Sequence, residues 1–285
     1  MVKVVYGDSV VISISLLCSI YFIVAIVSMV RLYWLFTRVK TWIYQKFFFS
    51  LVILACAGRI PMLLVQLFVD PKALLTNRAF KVFDSLTSDL FISSFVLIIF
   101  AIAHIYFQHV GRISHQGTIK TERMLIVLLV ILNIILVTTS IILGLKKTKT
   151  FLDLYIFDIV AFLVISFGLL IWSMKLLYYF RKRKELVIYS QIKTLFRVIL
   201  ACIFLHLLRI PLILILNFYE MEWFKKPWED ALYLFFYFFI SELLAVCLVI
   251  FFLFEIPPKS GEFQEVEVET YPDERSLINS PHYSD

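Results

Sequence analysis

The sequence predicts an all-α protein: a seven-transmembrane helix bundle with the N-terminus luminal or extracellular and the C-terminus cytosolic. Three observations carry that expectation. Hydrophobic residues make up 61% of the 285 and charged residues 17%, against about 45–50% and about 25% in soluble domains. The apolar residues come in seven long blocks. Lys and Arg crowd the connections on one side.

The blocks run Ser9–Phe36, Phe47–Phe68, Phe83–Tyr106, Met124–Leu145, Leu152–Phe180, Thr194–Tyr219 and Ala231–Phe254. Each reaches the roughly 20 residues that a helix needs to cross about 30 Å of hydrocarbon. Gly is scarce (7) and Phe abundant (29), which suits lipid-facing helices better than the alternating strands of a barrel. The first block follows Asp8 and shows no small-residue cleavage site, so it is expected to be retained. The second ends at Val69-Asp70-Pro71, and the fourth at Lys146-Lys147-Thr148-Lys149. The fifth ends at Arg181-Lys182-Arg183-Lys184, a run that reads as an anchor on anionic headgroups. The short connections leave no room for another domain, so residues 1–254 form one membrane unit.

Sixteen Lys and Arg lie in the tail and the loops after blocks one, three and five. Nine lie at the N-terminus and in the loops after blocks two, four and six. The richer side is the cytosolic one. The four cysteines, Cys18, Cys56, Cys202 and Cys247, all lie inside apolar blocks. They read as small buried hydrophobes. No metal spacing is present, and no cofactor is expected. Nothing in the charge pattern points to nucleic acid; the lipid bilayer is the expected surroundings.

Two stretches repeat. Residues 52–61 read VILACAGRIP and residues 198–211 read VILACIFLHLLRIP, so the second copy carries about one extra helical turn. Weaker echoes set 28–34 against 173–179 and 91–94 against 239–242. Blocks one to three thus match blocks five to seven around a linking fourth, a 3+1+3 repeat whose copies point the same way.

The repeat places Arg59 and Arg209 inside spans. A charge near the bilayer centre costs at least about 2.5–3.5 kcal/mol, so it must pair, reach water or snorkel. Depth counted at about 1.5 Å per residue puts Arg59, Arg209, Asp89 and Asp158 in one layer below the outer edge. Glu242 is expected deeper, and Asp84 at the rim in water. The layer is either a structural ion-pair network or a ligand pocket, and its formal neutrality favours the structural reading. Pro61 and Pro211 each lack an N–H and should kink their helices. His104 and His206 read as buried side chains rather than metal ligands. Helix 7 has no Lys for a Schiff base, and helix 3 has no Asp-Arg-Tyr triplet. No catalytic motif is seen, and no enzyme is expected.

Several stretches resemble one family. Helix 3 reads FDSLTSDLFISSFVLIIFAIAHIYFQ, with Asp84, Ile105, Tyr106 and Gln108 at matching positions. Helix 7 and its exit read SELLAVCLVIFFLFEIPPKSG, with Glu242, Pro257, Pro258 and Lys259 in the pattern. Arg59 and Arg209 add to it. The chain resembles the tobamovirus multiplication proteins of plants, the THH1 type, and their animal seven-pass orphan relatives of lysosomes. It departs at His104, where the family often has an acid, and at Ala245, where it often has Pro. The resemblance implies a multi-pass protein of vacuolar or lysosomal membranes that binds cytosolic partners, including Arf-like small GTPases, and implies no catalytic site.

Residues 255–285 hold eight acids and two bases and few apolar side chains, the composition of a disordered tail. Within it, Asp273, Leu277 and Ile278 fit an acidic dileucine pattern that docks to clathrin adaptors. Ser276 inside it could tune docking when phosphorylated. The expected function is a non-enzymatic scaffold or receptor-like protein at vacuolar, lysosomal or endosomal membranes, with the plasma membrane as the alternative address. A small-solute transporter and an atypical G-protein-coupled receptor are the other readings.

Overall fold

A computed structural model of the chain describes residues 8–38, 43–69, 77–110, 115–145, 152–183, 186–219, 232 and 235–253. Regular structure among them is all helical. The helices are α1 (Asp8–Arg38), α2 (Ile43–Phe68), α3 (Arg78–Val110), α4 (His115–Leu145), α5 (Leu152–Arg183) and α6 (Leu186–Tyr219). Helical residues 235–238 then lead into a π-helical turn, Phe239–Leu244, which continues as α7, Ala245–Leu253.

The first six are long and apolar enough to cross a membrane. The seventh apolar helix, Phe235–Phe251, is shorter. Pro257, Pro258, Lys259, Asp273, Leu277 and Ile278 lie outside the described residues, as does the side chain of Gln108.

Several helices begin before their apolar blocks, because a helix extends past the hydrocarbon on polar residues. The difference matters most in α3. Asn77 caps it: the side-chain Oδ1 accepts from the backbone N–H of Ala79 at 3.0 Å and of Phe80 at 3.3 Å. The helix therefore starts at Arg78 rather than Phe83. The cap adds about 7.5 Å of helix ahead of the apolar block.

α1 packs on α2, α2 on α3, and α3 on both α4 and α5. α5 packs on α6, α6 on the terminal helix, and the π-turn reaches back to α1. The ring closes around a core that includes Tyr21, Phe49, Phe91, Phe95 and Leu243. α4 stands outside it, with Met124, Val127, Val130, Ile131, Ile134 and Ile142 exposed. On a helix with this composition, that face is one for lipid. Small residues allow close approach, as in other membrane helix pairs. A Cβ on Gly144 would stand 2.7 Å from Val82 Cγ2 and 3.2 Å from its backbone N.

Candidate functional site

The charged side chains of α2, α3, α5, α6 and the π-turn meet in two linked nodes. The first is built on Arg59 from α2, which is 1% exposed. Its Nε donates to Glu242 Oε2 at 3.0 Å, and its Nη2 to Ser88 Oγ at 2.9 Å and to Glu242 Oε1. Its Nη1 donates to Asp84 Oδ1 at 2.5 Å and approaches Met62 Sδ at 3.4 Å. The Phe238 ring lies 4.9 Å from the guanidinium carbon. Tyr21 of α1 adds its hydroxyl to Glu242 Oε2 at 2.7 Å. Every nitrogen of Arg59 is used, by protein groups from α3 and the π-turn. Glu242 in turn gathers α1, α2 and α6 onto the terminal helix.

The second node is built on Arg209 from α6, the mate of Arg59 in the repeated sequence. It is equally buried but poorly satisfied. Its Nη2 donates to the Tyr237 hydroxyl at 3.1 Å. Asp158 Oδ2 of α5 is 3.6 Å away and Glu242 Oε1 3.9 Å. The Phe162 ring lies 4.4 Å from its guanidinium carbon. Arg209 Nε and Nη1, and Asp158 Oδ1, have no hydrogen-bond partner. The two repeats thus hold the same residue in different ways. Arg59 has nothing left for a ligand, whereas Arg209 has donors to spare.

Of the four residues expected in one layer, Arg59, Arg209 and Asp158 do come together, and Glu242 joins them. Two placements need correction. Asp84 is only 24% exposed and is the Arg59 partner, so it is more than a solvated rim residue. Asp89 is in neither node, and among the described residues it makes no ion pair within 4 Å and no hydrogen bond. Five residues turn α3 through a full turn and about 140° more, so Asp89 faces away from the Arg59 side. Counted from Arg78, Asp84 is six residues in, about 9 Å, and Asp89 is about 16 Å in. Glu242, expected deeper, is level with both arginines, because it bonds Arg59 and lies 3.9 Å from Arg209.

Pro61 and Pro211 are exposed, and both helices run on through them. His206 is fully buried, edge-on to Phe95 at 4.4 Å and tilted on Phe162 at 4.9 Å, with no partner on either nitrogen. Tyr106 joins an aromatic cluster with Phe107, Trp172 and Tyr179 at 5.9–6.0 Å. Tyr21, Ser88 and Tyr237 belong to the nodes and carried no signal by themselves in a chain this rich in aromatics. Their hydroxyls, at the depth of the arginines, were the available clue.

A family model described as the THH1/TOM1/TOM3 domain matches residues 3–269. No curated protein and no solved structure matches the chain significantly.

Proposed function

The chain belongs to the THH1/TOM1/TOM3 domain family, and from that premise we propose a non-enzymatic scaffold or receptor-like protein of vacuolar or lysosomal membranes. It crosses the membrane seven times, with helix 235–253 as the short last span. The N-terminus faces the lumen and the tail faces the cytosol. The loops after α3 and α5, together with the acidic tail, recruit trafficking partners: Arf-like small GTPases and clathrin adaptors. The family match over nearly the whole chain carries this reading. The saturation of Arg59 by protein groups supports it against a ligand pocket centred there. The position of α4 outside the ring supports a 3+1+3 repeat with α4 as the link. A second reading, a small-solute transporter, draws on the unused donors of Arg209.

Proximity labelling from the tail in native cells tests the proposal. Small GTPases and adaptor subunits should be enriched; a labelled set without them contradicts it. The orientation has its own expected result. In vesicles with the cytosolic face outward, a tag at residue 285 should be cut by protease and one at residues 146–151 protected. The reverse pattern would overturn the Lys and Arg argument.

The tail makes a third expectation. Leu277→Ala with Ile278→Ala should shift the steady-state location towards the plasma membrane in live-cell imaging, because the adaptor pocket loses both apolar side chains. An unchanged distribution would leave the acidic dileucine match without a role.

A further inference from the structure

The buried charges at this end are not all paired. Beside the buried guanidiniums of Arg59 and Arg209 stand three buried carboxylates, Asp89, Asp158 and Glu242, and the partly exposed Asp84. Lys81 lies one turn outside Asp84 and is itself buried. Arg31, the remaining buried cation, lies ten residues beyond Tyr21 on α1, about 15 Å away. An unpaired charge at this depth is strongly disfavoured.

The carboxylate outside both nodes is Asp89. Its side chain is 1% exposed and neither oxygen has a hydrogen-bond partner. Ser85 precedes it by one turn on the same face of α3, and its hydroxyl is buried and unpartnered. Ser140 comes from α4, fully buried, and faces Asp89 without reaching hydrogen-bond geometry.

The helix register explains the meeting. Val82 abuts Gly144, and Ser93 donates to Asn133. Both pairs fit one antiparallel register, in which residue 140 falls opposite residue 86, between Ser85 and Asp89. Ser19, Ser50, Thr87, Ser94 and Ser173 all donate to a carbonyl three or four residues back in their own helices. Ser85 and Ser140 do not. Across the parallel pair α3 and α5, Ile99 abuts Gly168. The same offset sets Asp158 level with Asp89, adding negative field. Arg59, the charged group on α2 at this end, is committed to Glu242 and Asp84. The described part of α4 offers Arg123 alone as a charged residue from 123 to 145, at its far end.

The two Asp89 oxygens thus lack a hydrogen-bond partner beside two buried, unpartnered hydroxyls, Ser85 one turn away and Ser140 across the helix pair. We propose that Ser85, Asp89 and Ser140 form an intramembrane site for a small monovalent metal cation, sodium. Oxygen ligands suit hard cations. One carboxylate balances a single positive charge, whereas calcium sites recruit several. The cation neutralises Asp89 and clamps α4 to α3, the helix that carries Asp84.

The test is thermal unfolding of the purified full-length protein in detergent. Sodium chloride is exchanged for choline chloride at constant ionic strength, at two pH values. At ten times its dissociation constant, sodium should raise the midpoint by about 3–6 °C. Asp89→Asn should abolish that shift without loss of folding, because the unpaired charge is gone. Ser140→Ala should weaken the shift while keeping the charge. A wild-type midpoint indifferent to sodium would overturn the site, as would an Asp89→Asn protein that keeps the shift. A midpoint that moves with pH and not with sodium would overturn it too, since Asp89 then carries a proton.

Discussion

Glu242→Ala is expected to destabilise the bundle by about 3–5 kcal/mol, the cost of breaking a buried charge pair by removing one partner. The carboxylate accepts from Arg59 Nε and Nη2 and from the Tyr21 hydroxyl, and it lies 3.9 Å from Arg209. Alanine leaves three donor groups from two helices without their acceptor, and Arg209 without a nearby carboxylate, at a depth where water is scarce. The terminal helix also loses its polar tie to α1 and α2. In a chain this long, that loss corresponds to roughly 6–20 °C in the melting midpoint of the detergent-solubilised protein. Glu242→Gln keeps an acceptor and the shape, so it should fall between wild type and alanine. A wild-type midpoint for Glu242→Ala would mean that water or lipid already satisfies these donors, and the packing role would fail.

Much of this arrangement was legible before the structure. Apolar blocks gave the helices, and the repeated Arg-Ile-Pro drew attention to Arg59 and Arg209. Glu242 stood out as an acid in an aliphatic run. The pairing was less legible, for two physical reasons. Counting residues along a helix gives depth but not azimuth, and helices that are hydrophobic all round carry little signal for which face turns inward. The starting point of the count also matters. Asn77 is a good cap residue, and reading it as one moves the start of α3 from Phe83 to Arg78. Which of Asp84 and Asp89 meets Arg59 is then a matter of azimuth, since the two point about 140° apart around the helix. The π-turn at Phe239–Leu244 is a further feature that periodicity alone does not announce, and turns of this kind are frequent where a helix serves a special role. Here it carries Glu242.

The different treatment of the two arginines was not legible at all. Their local sequences nearly coincide. What separates them is the partner across the interface: α3 offers Asp84 and Ser88 to Arg59, whereas the groups around Arg209 stand 3.1–3.9 Å away and leave two nitrogens idle. A repeat constrains the residue and leaves its surroundings free to diverge.

The central claim is that Arg59 holds helices together rather than holding a ligand. Arg59→Leu should therefore be poorly folded, losing about 3–5 kcal/mol. In that protein Glu242 can turn to Arg209, which lacks acceptors, while Asp84 is left alone. Adding Asp84→Asn removes the stranded charge and should restore much of the stability. Adding Asp89→Asn should not, because Asp89 does not pair with Arg59. The decisive measurement is a set of melting midpoints for Arg59→Leu, Asp84→Asn, Asp89→Asn and the two doubles, read as double-mutant cycles. The account predicts strong coupling between Arg59 and Asp84 and little between Arg59 and Asp89. A fully stable Arg59→Leu protein, or coupling to Asp89 in place of Asp84, would contradict it.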